Sequence, residues 1–458
     1  MDNQPVFEQL QNLLQDRVTD NATIRNEHGA GFSYHTCAPP DWVVYPLSTE
    51  EISAIVRICA ANRIPIIPFG AGTSVEGHIL ALQGGVCIDL RLMNRIIEIN
   101  QADMYATIQP GVTRNQLDEA LVDSGFFFPI GPGVNATIGG MASTRASGTN
   151  AVKYGTMKEN VLTLQVVMAD GQIIRTGSKA RKSSAGYDLT RLFIGAEGTL
   201  GIITELTIKL HSYPQAIHAA VCSFPSVEAA VNTAIQTIQS GIPIAKIELL
   251  DAHMMMAIKK YSSLHYEESP TLFLEFHGSE AELEEQIGRV QIIAGSFGAK
   301  EFIWEKDEAG RTRLWRARTD AAPASVALVE NGQLMSTDVC VPISRLAKCI
   351  TETQKDIQET GILAPILGHV GDGNFHLTIV INPDKPEEFE KAKALNKRLV
   401  ERALAMEGTC TGEHGIGIGK LAYMTLEHGE TINTMWAIKK SLDPLNIMNP
   451  GKLLPCVE

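Results

Sequence analysis

The chain has 458 residues, 44% of them hydrophobic and 20% charged, with a formal net charge of −13 at pH 7. That size and apolar content suffice for two or three packed domains, and the acidic balance argues against a broad nucleic-acid-binding surface. No apolar run reaches the roughly 18 residues of a membrane span, the opening "MDNQPVFEQLQNLLQDRVTD" lacks the basic and apolar regions of a signal peptide, and the eight cysteines form no C-x-x-C pair. The expectation is a cytoplasmic protein with reduced thiols and neither a zinc knuckle nor an iron–sulfur cluster.

In chain order, an N-terminal helical segment (1–37) precedes "STEEISAIVRICAANRIPIIPFGAGTS", which reads as a capping box from Ser48 to Glu51, a helix, a short strand and a glycine loop. Strands follow at "GVCIDL", "RIIEIN" and "YATIQPGV", then a capped helix at "TRNQLDEALVDSG" and a hairpin turning at Asp170-Gly171. From about 215 the pattern changes to strand–helix–strand units at "AAVCSF", "PIAKIELL", "TLFLEF" and "AKEFIWE", as in an α+β domain. The tail from about 411, "TGEHGIGIGK…NPGKLL", turns glycine-rich again and is expected to return to the first domain.

The glycine loops exclude two nucleotide folds. In "GAGTSV" Val75 occupies the third glycine place of the dinucleotide fingerprint, and around "GIGIGKL" His414 and Leu421 replace residues a P-loop needs. The run from 131 to 162 is rich in small and hydroxyl-bearing residues, which lets backbone N–H groups approach a pyrophosphate. Glycine turns packed on strands would read the same way. "GHVGDGNFH" raises a separate question, since only 12 histidines occur in the chain. A four-residue loop over 371–374 would set Val370 opposite Phe375 and His369 opposite His376, close enough for two imidazoles to share a metal ion. Two half-exposed hairpin histidines fit equally well, and spacing alone supplies no third ligand.

Taken together, "EGH", "SGTNAVKYGTM", "GAEGTLGIIT", "STDVCVPISRL", "GHVGDGNFH", "GTCTGEHGIG" and "LDPLNIMNPGK" resemble the FAD-linked oxidases of the vanillyl-alcohol oxidase and p-cresol methylhydroxylase (PCMH) type, and within them the cytochrome-linked D-lactate dehydrogenases. The resemblance implies an α+β fold: a two-part PCMH-type FAD-binding domain over 38–214, a substrate (cap) domain over 215–410 with an antiparallel sheet covered by helices, and a C-terminal segment, 411–458, packing back on the FAD domain. It implies that Pro68, Phe69, Gly70, Ala71, Gly72, Thr73 and Ser74 wrap the FAD pyrophosphate. Pro132, Gly133, Thr137, Gly139, Gly140, Ser143, Ser147, Gly148 and Tyr154 would line the cofactor further, with Glu197, Gly198, Ile203 and Asn449. Thr73 stands where covalently flavinylated relatives carry histidine and His78 is offset, so the FAD is expected to be non-covalent.

The same resemblance supplies the missing ligand, Glu413, to join His369 and His376 around one divalent ion (zinc, manganese or iron). His414 would be the base that takes the substrate hydroxyl proton, Arg318 the grip on its carboxylate, and Asn374 a further polar contact. The implied reaction oxidises D-lactate, or a similar short D-2-hydroxy acid, to the 2-oxo acid with hydride passing to flavin N5. A quinone, cytochrome or electron-transfer flavoprotein would take the electrons. Peripheral attachment to the inner membrane and a homodimer are compatible with this reading. A D-2-hydroxyglutarate or glycolate dehydrogenase of the same family is the alternative. D-2-hydroxyglutarate relatives carry lysine where this chain has Ser336, which favours a monocarboxylate. A flavin-free metal-dependent hydrolase would use the same His-His-Glu set but leave the first 200 or so residues unexplained.

Overall fold

A computed structural model of the chain describes residues 4–32, 34–262, 266–300 and 302–455. They divide into two compact units, one of residues up to 147, 155–213 and 413 onward, the other of 148–154 and 214–412.

The first unit holds a four-stranded sheet in the order Val18–Thr19, Trp42–Val44, Val86–Asp89, Ile66–Phe69, its last three strands parallel. Trp42–Val44 and Val86–Asp89 are buried throughout, as strands covered on both faces must be. Helix Thr49–Asn62 lies next in sequence, and Ser48 caps it by accepting from the Glu51 N–H at 3.2 Å. The expected capping box is only half made, because the Glu51 carboxylate turns to Arg17 and to the Leu47 N–H, each at 2.7 Å. Arg17 takes both carboxylate oxygens, and the one backbone amide that still reaches Glu51 is that of Leu47, one residue before the cap. Ile52, Ile55 and Val56 are fully buried on one face of that helix, each contributing roughly 1.5–3 kcal/mol.

A five-stranded antiparallel sheet follows, ordered Ile96–Asn100, Tyr105–Ile108, Ile202–Lys209, Val161–Val167, Ile173–Gly177. Its expected hairpin turns where read, with Gly171 at φ +81°. The C-terminal segment does return to this unit: Met448 bridges Ile66, and the Asn449 N–H donates to the Ile66 carbonyl at 2.8 Å.

The second unit is an antiparallel sheet with helices, as expected. Its order is Ile303–Glu305, Ala216–Ser223, Thr271–Gly278, Lys246–Leu250, Ile366–Gly368, Asn374–Ile381, Gln333–Ser336, with Val339–Cys340 also paired to Asn374–Ile381. Phe273, Leu250, Leu367 and Met254 pack with Leu314, Ala317 and Ala321 of helices Glu308–Thr319 and Ala321–Val326 in one core.

The histidine hairpin departs from the expected register. Leu367, not His369, lies opposite His376, and strand pairing stops at Gly368. His369 instead opens the turn, its carbonyl accepting from the N–H groups of Asp372 at 2.9 Å and Asn374 at 3.3 Å, with Gly373 left-handed at φ +81°. The turn still holds four residues but lies one position earlier, over 370–373, where the left-handed Gly373 closes it, and this slides the register.

Candidate active site

In the first unit the glycine loops meet around one cavity. Every residue from Pro68 to Ser74 lines it, together with Pro132, Thr137, Gly139, Gly140, Ser143, Ser147, Glu197, Gly198, Ile203 and Asn449. Of the expected cofactor residues, Gly133 does not line it, and Gly148 and Tyr154 belong to the second unit. Ser74 Oγ and Thr137 Oγ1 are buried and have no hydrogen-bond partner among the described residues, and a Cβ on Gly70 would lie 2.3 Å from Thr137 Oγ1. Hydroxyls left without partners beside backbone that only glycine permits suit the oxygens of a pyrophosphate, so the residues present fit FAD.

Glu413 and His414 line the same cavity. Just downstream, Glu197 accepts the Ile416 N–H at 2.7 Å and the Gly417 N–H at 2.8 Å, and His78 stands 3.3 Å from it. Burial pushes the Glu197 carboxyl up, but His78 and the two amides outweigh this and hold it below the ordinary range. Glu197 itself sits at φ +53°, its carbonyl accepting from Asn449 Nδ2 at 2.7 Å. "GIGIGK" is therefore no phosphate loop here. It is a turn wrapped on a buried carboxylate.

The second unit gathers the other expected residues. The rings of His369 and His376 are 5.4 Å apart and nearly perpendicular, and each offers a ring nitrogen within 4.8 Å of the other. His369 Nδ1 is 2.6 Å from Glu248 Oε1, and His376 Nδ1 is 3.0 Å from the Thr337 carbonyl. With Nδ1 held by a protein acceptor in both rings, Nε2 is the nitrogen each would offer to a metal, the arrangement such sites use. Two imidazoles so oriented fit a divalent ion.

Arg318 Nε donates to Glu248 Oε2 at 2.8 Å. The neighbouring arginines point elsewhere: Arg313 to Glu305, Arg316 to Asp320, and Arg311 to the Lys306 and Ile217 carbonyls. Burial pushes the Glu248 carboxyl up, while His369 and Arg318 more than offset this and keep it low. Asn374 spends its amide N–H groups on Asp338 Oδ1 and the Val339 carbonyl, both at 2.7 Å, so Oδ1 is the only polar side-chain atom it could offer to a ligand. Asp338, fully buried, also takes the Thr411 hydroxyl at 2.6 Å and the Gly412 N–H at 2.8 Å, fixing the chain one peptide bond before Glu413.

Tyr154, expected at the cofactor, has its hydroxyl 2.8 Å from His277 Nδ1, whose Nε2 lies 2.8 Å from Glu275. Glu248 and Asp338 were not singled out from the sequence. The available signal was an acid inside the apolar "KIELL" and another before "VCVP".

Comparison with known proteins identifies the family. The family of FAD-linked oxidases, C-terminal domain, matches residues 213–453, and the FAD binding domain family matches 40–177. The chain belongs to the FAD-linked oxidases. Among this oxidase's relatives, a probable mitochondrial D-lactate dehydrogenase of Danio rerio is 52% identical over 95% of this chain and 89% of its own. A mitochondrial cytochrome-type D-lactate dehydrogenase of Arabidopsis thaliana is 45% identical over 98% of this chain and 80% of its own. Among solved structures, p-cresol methylhydroxylase with substrate bound matches with a TM-score of 0.81 at 17% identity, covering 99% of this chain and 97% of that one. Alkyldihydroxyacetonephosphate synthase matches at 0.78 and 22%, covering 98% and 86%. These two likenesses show the fold.

The expected cytoplasmic location does not stand, because the fish, plant and yeast relatives are mitochondrial by name. Compartment is set by an address read during import, which the composition of a folded domain does not encode. Among the described residues, no helix is long and apolar enough to cross a membrane.

Proposed function

We propose that this FAD-linked oxidase is a D-2-hydroxy-acid dehydrogenase that oxidises D-lactate to pyruvate, holds FAD without a covalent bond, and uses a divalent ion bound by His369, His376 and Glu413. The observation that carries the reading is the pair of imidazoles in the second unit, oriented through Nδ1, with Arg318 tied to the same Glu248 that orients one of them. The relatives' names support the substrate.

FAD, held by the Pro68–Ser74 loop and the residues around Thr137, would supply the acceptor for the α-hydrogen as hydride, and an ion on His369, His376 and Glu413 would supply a Lewis acid for the substrate hydroxyl. The chain's own residues do the rest. Arg318 takes the carboxylate through its Nη edge, since Nε is engaged by Glu248. His414, lining the flavin cavity, removes the hydroxyl proton on an imidazole nitrogen, and a 2-oxo acid leaves. Electrons pass on to a non-nicotinamide acceptor, as the cytochrome in the relatives' names suggests.

The purified protein is expected to be yellow, to release FAD into the filtrate on denaturation, and to bleach when D-lactate is added without air. A colourless protein that cannot be reconstituted with FAD would sink the reading. Selectivity follows from Ser336, which brings no cation to a second carboxylate. D-2-hydroxyglutarate would have to desolvate a charge without a partner, so its kcat/KM is expected to fall at least about 100-fold below that of D-lactate. Equal values for the two acids would refute the argument from Ser336.

A further inference from the structure

Glu248 sits on the strand Lys246–Leu250 between Ile247 and Leu249, is 1% exposed, and divides its two oxygens between two elements far apart in sequence. Oε1 meets His369 Nδ1 at 2.6 Å on the hairpin turn, and Oε2 takes Arg318 Nε at 2.8 Å on helix Glu308–Thr319. A carboxylate in an apolar strand is costly unless charged or donating groups satisfy it. Here both partners are residues to which the proposed reaction gives separate jobs. His376 Nδ1 meets the Thr337 carbonyl at 3.0 Å, with the Asp338 carboxylate 3.5 Å away, and neither of these groups touches Arg318.

We propose that Glu248 is a positioning residue shared by the metal-binding and carboxylate-binding halves of the site, so that metal affinity and 2-hydroxy-acid affinity are coupled through one side chain. The proposal rests on the reading above, in which His369 ligates the ion and Arg318 holds the substrate. Oε1 fixes the Nδ1–H tautomer and ring plane of His369, which aims Nε2. Oε2 stops the guanidinium from turning about its own stem and presents the Nη edge to the incoming anion. Displacement of either partner moves the carboxylate that holds the other. Coupling of this kind is reciprocal.

The test compares Glu248→Gln, Arg318→Met, His369→Ala and the double variant Glu248→Gln/Arg318→Met, each as FAD-loaded protein. Metal retention is read by chelator titration with manganese, and KM and kcat for D-lactate are measured separately. Arg318→Met is expected to raise KM and to weaken manganese binding a few-fold, less than the loss of the carboxylate itself does, and His369→Ala to lose manganese. Glu248→Gln is expected to do both at unchanged FAD content, weakening manganese binding about 10–100-fold and raising KM about tenfold. Should Glu248→Gln fail to fold, the double variant, which leaves no guanidinium facing a lost partner, is expected to show the same weakened metal binding. Wild-type manganese affinity in either protein overturns the shared role while leaving the reaction intact. Manganese retained by His369→Ala overturns the metal assignment, and the shared role falls with it.

Discussion

Replacing His414 with alanine is expected to leave FAD and metal bound and to slow flavin reduction by D-lactate by about 10²–10⁴, the range of a lost general base. The neighbouring Glu413→Gln is expected to behave differently, losing metal occupancy and recovering part of its activity when metal is added, because mass action refills a weakened ligand set. Two adjacent residues can take such different roles only if the backbone carrying them is fixed. It is fixed on both sides. Upstream, the Thr411 hydroxyl and Gly412 N–H are bound by Asp338. Downstream, the Ile416 and Gly417 amides are bound by Glu197, and Gly415 at φ +81° passes so close that a Cβ there would lie 2.6 Å from Glu197 Oε1. Metal analysis with anaerobic stopped-flow reduction of the two variants separates the roles. A His414→Ala protein that loses its metal while Glu413→Gln keeps it would reverse the assignment and make Glu413 the proton acceptor.

The parts of the fold that were legible in the sequence are those whose determinants lie within a few residues. Ser48 and Thr113 announce the helices they cap, and Gly171 the turn it closes, since each acts on backbone two or three positions away. The glycine loops were legible as a nucleotide cradle of no common type, and the resemblance identified the type. The hairpin register was not legible, because one left-handed glycine shifts pairing without changing the apolar alternation around it. Glu248 was hidden for another reason. Its partners are 121 and 70 residues away, and no periodicity encodes a contact at that range. Tyr154 shows the same limit: the motif that carries it says nothing of the bond between its hydroxyl and His277, 123 residues away.

The second large effect is expected at Arg318. Arg318→Lys should lower kcat/KM for D-lactate by about 10²–10³, equivalent to roughly 3–4 kcal/mol, with FAD content unchanged. Lysine keeps the charge but offers a single point, and the geometry asks for two things at once: an Nε–H for Glu248 at 2.8 Å and a planar Nη edge for a carboxylate. An ammonium that satisfies one leaves the other. Because Glu248 is almost wholly buried, the lysine is expected to settle on it, and the substrate carboxylate is the group left unmatched. D-Lactamide, the same size without the charge, distinguishes this from general damage. Wild-type enzyme should prefer D-lactate to D-lactamide strongly, and in Arg318→Met that preference should shrink toward unity as the D-lactate rate falls to meet the amide's. A variant that loses both substrates in equal proportion would show that Arg318 supports the fold rather than the anion. The carboxylate grip would then have to be sought outside this helix, since Arg311, Arg313 and Arg316 are committed to Lys306 and Ile217, Glu305 and Asp320.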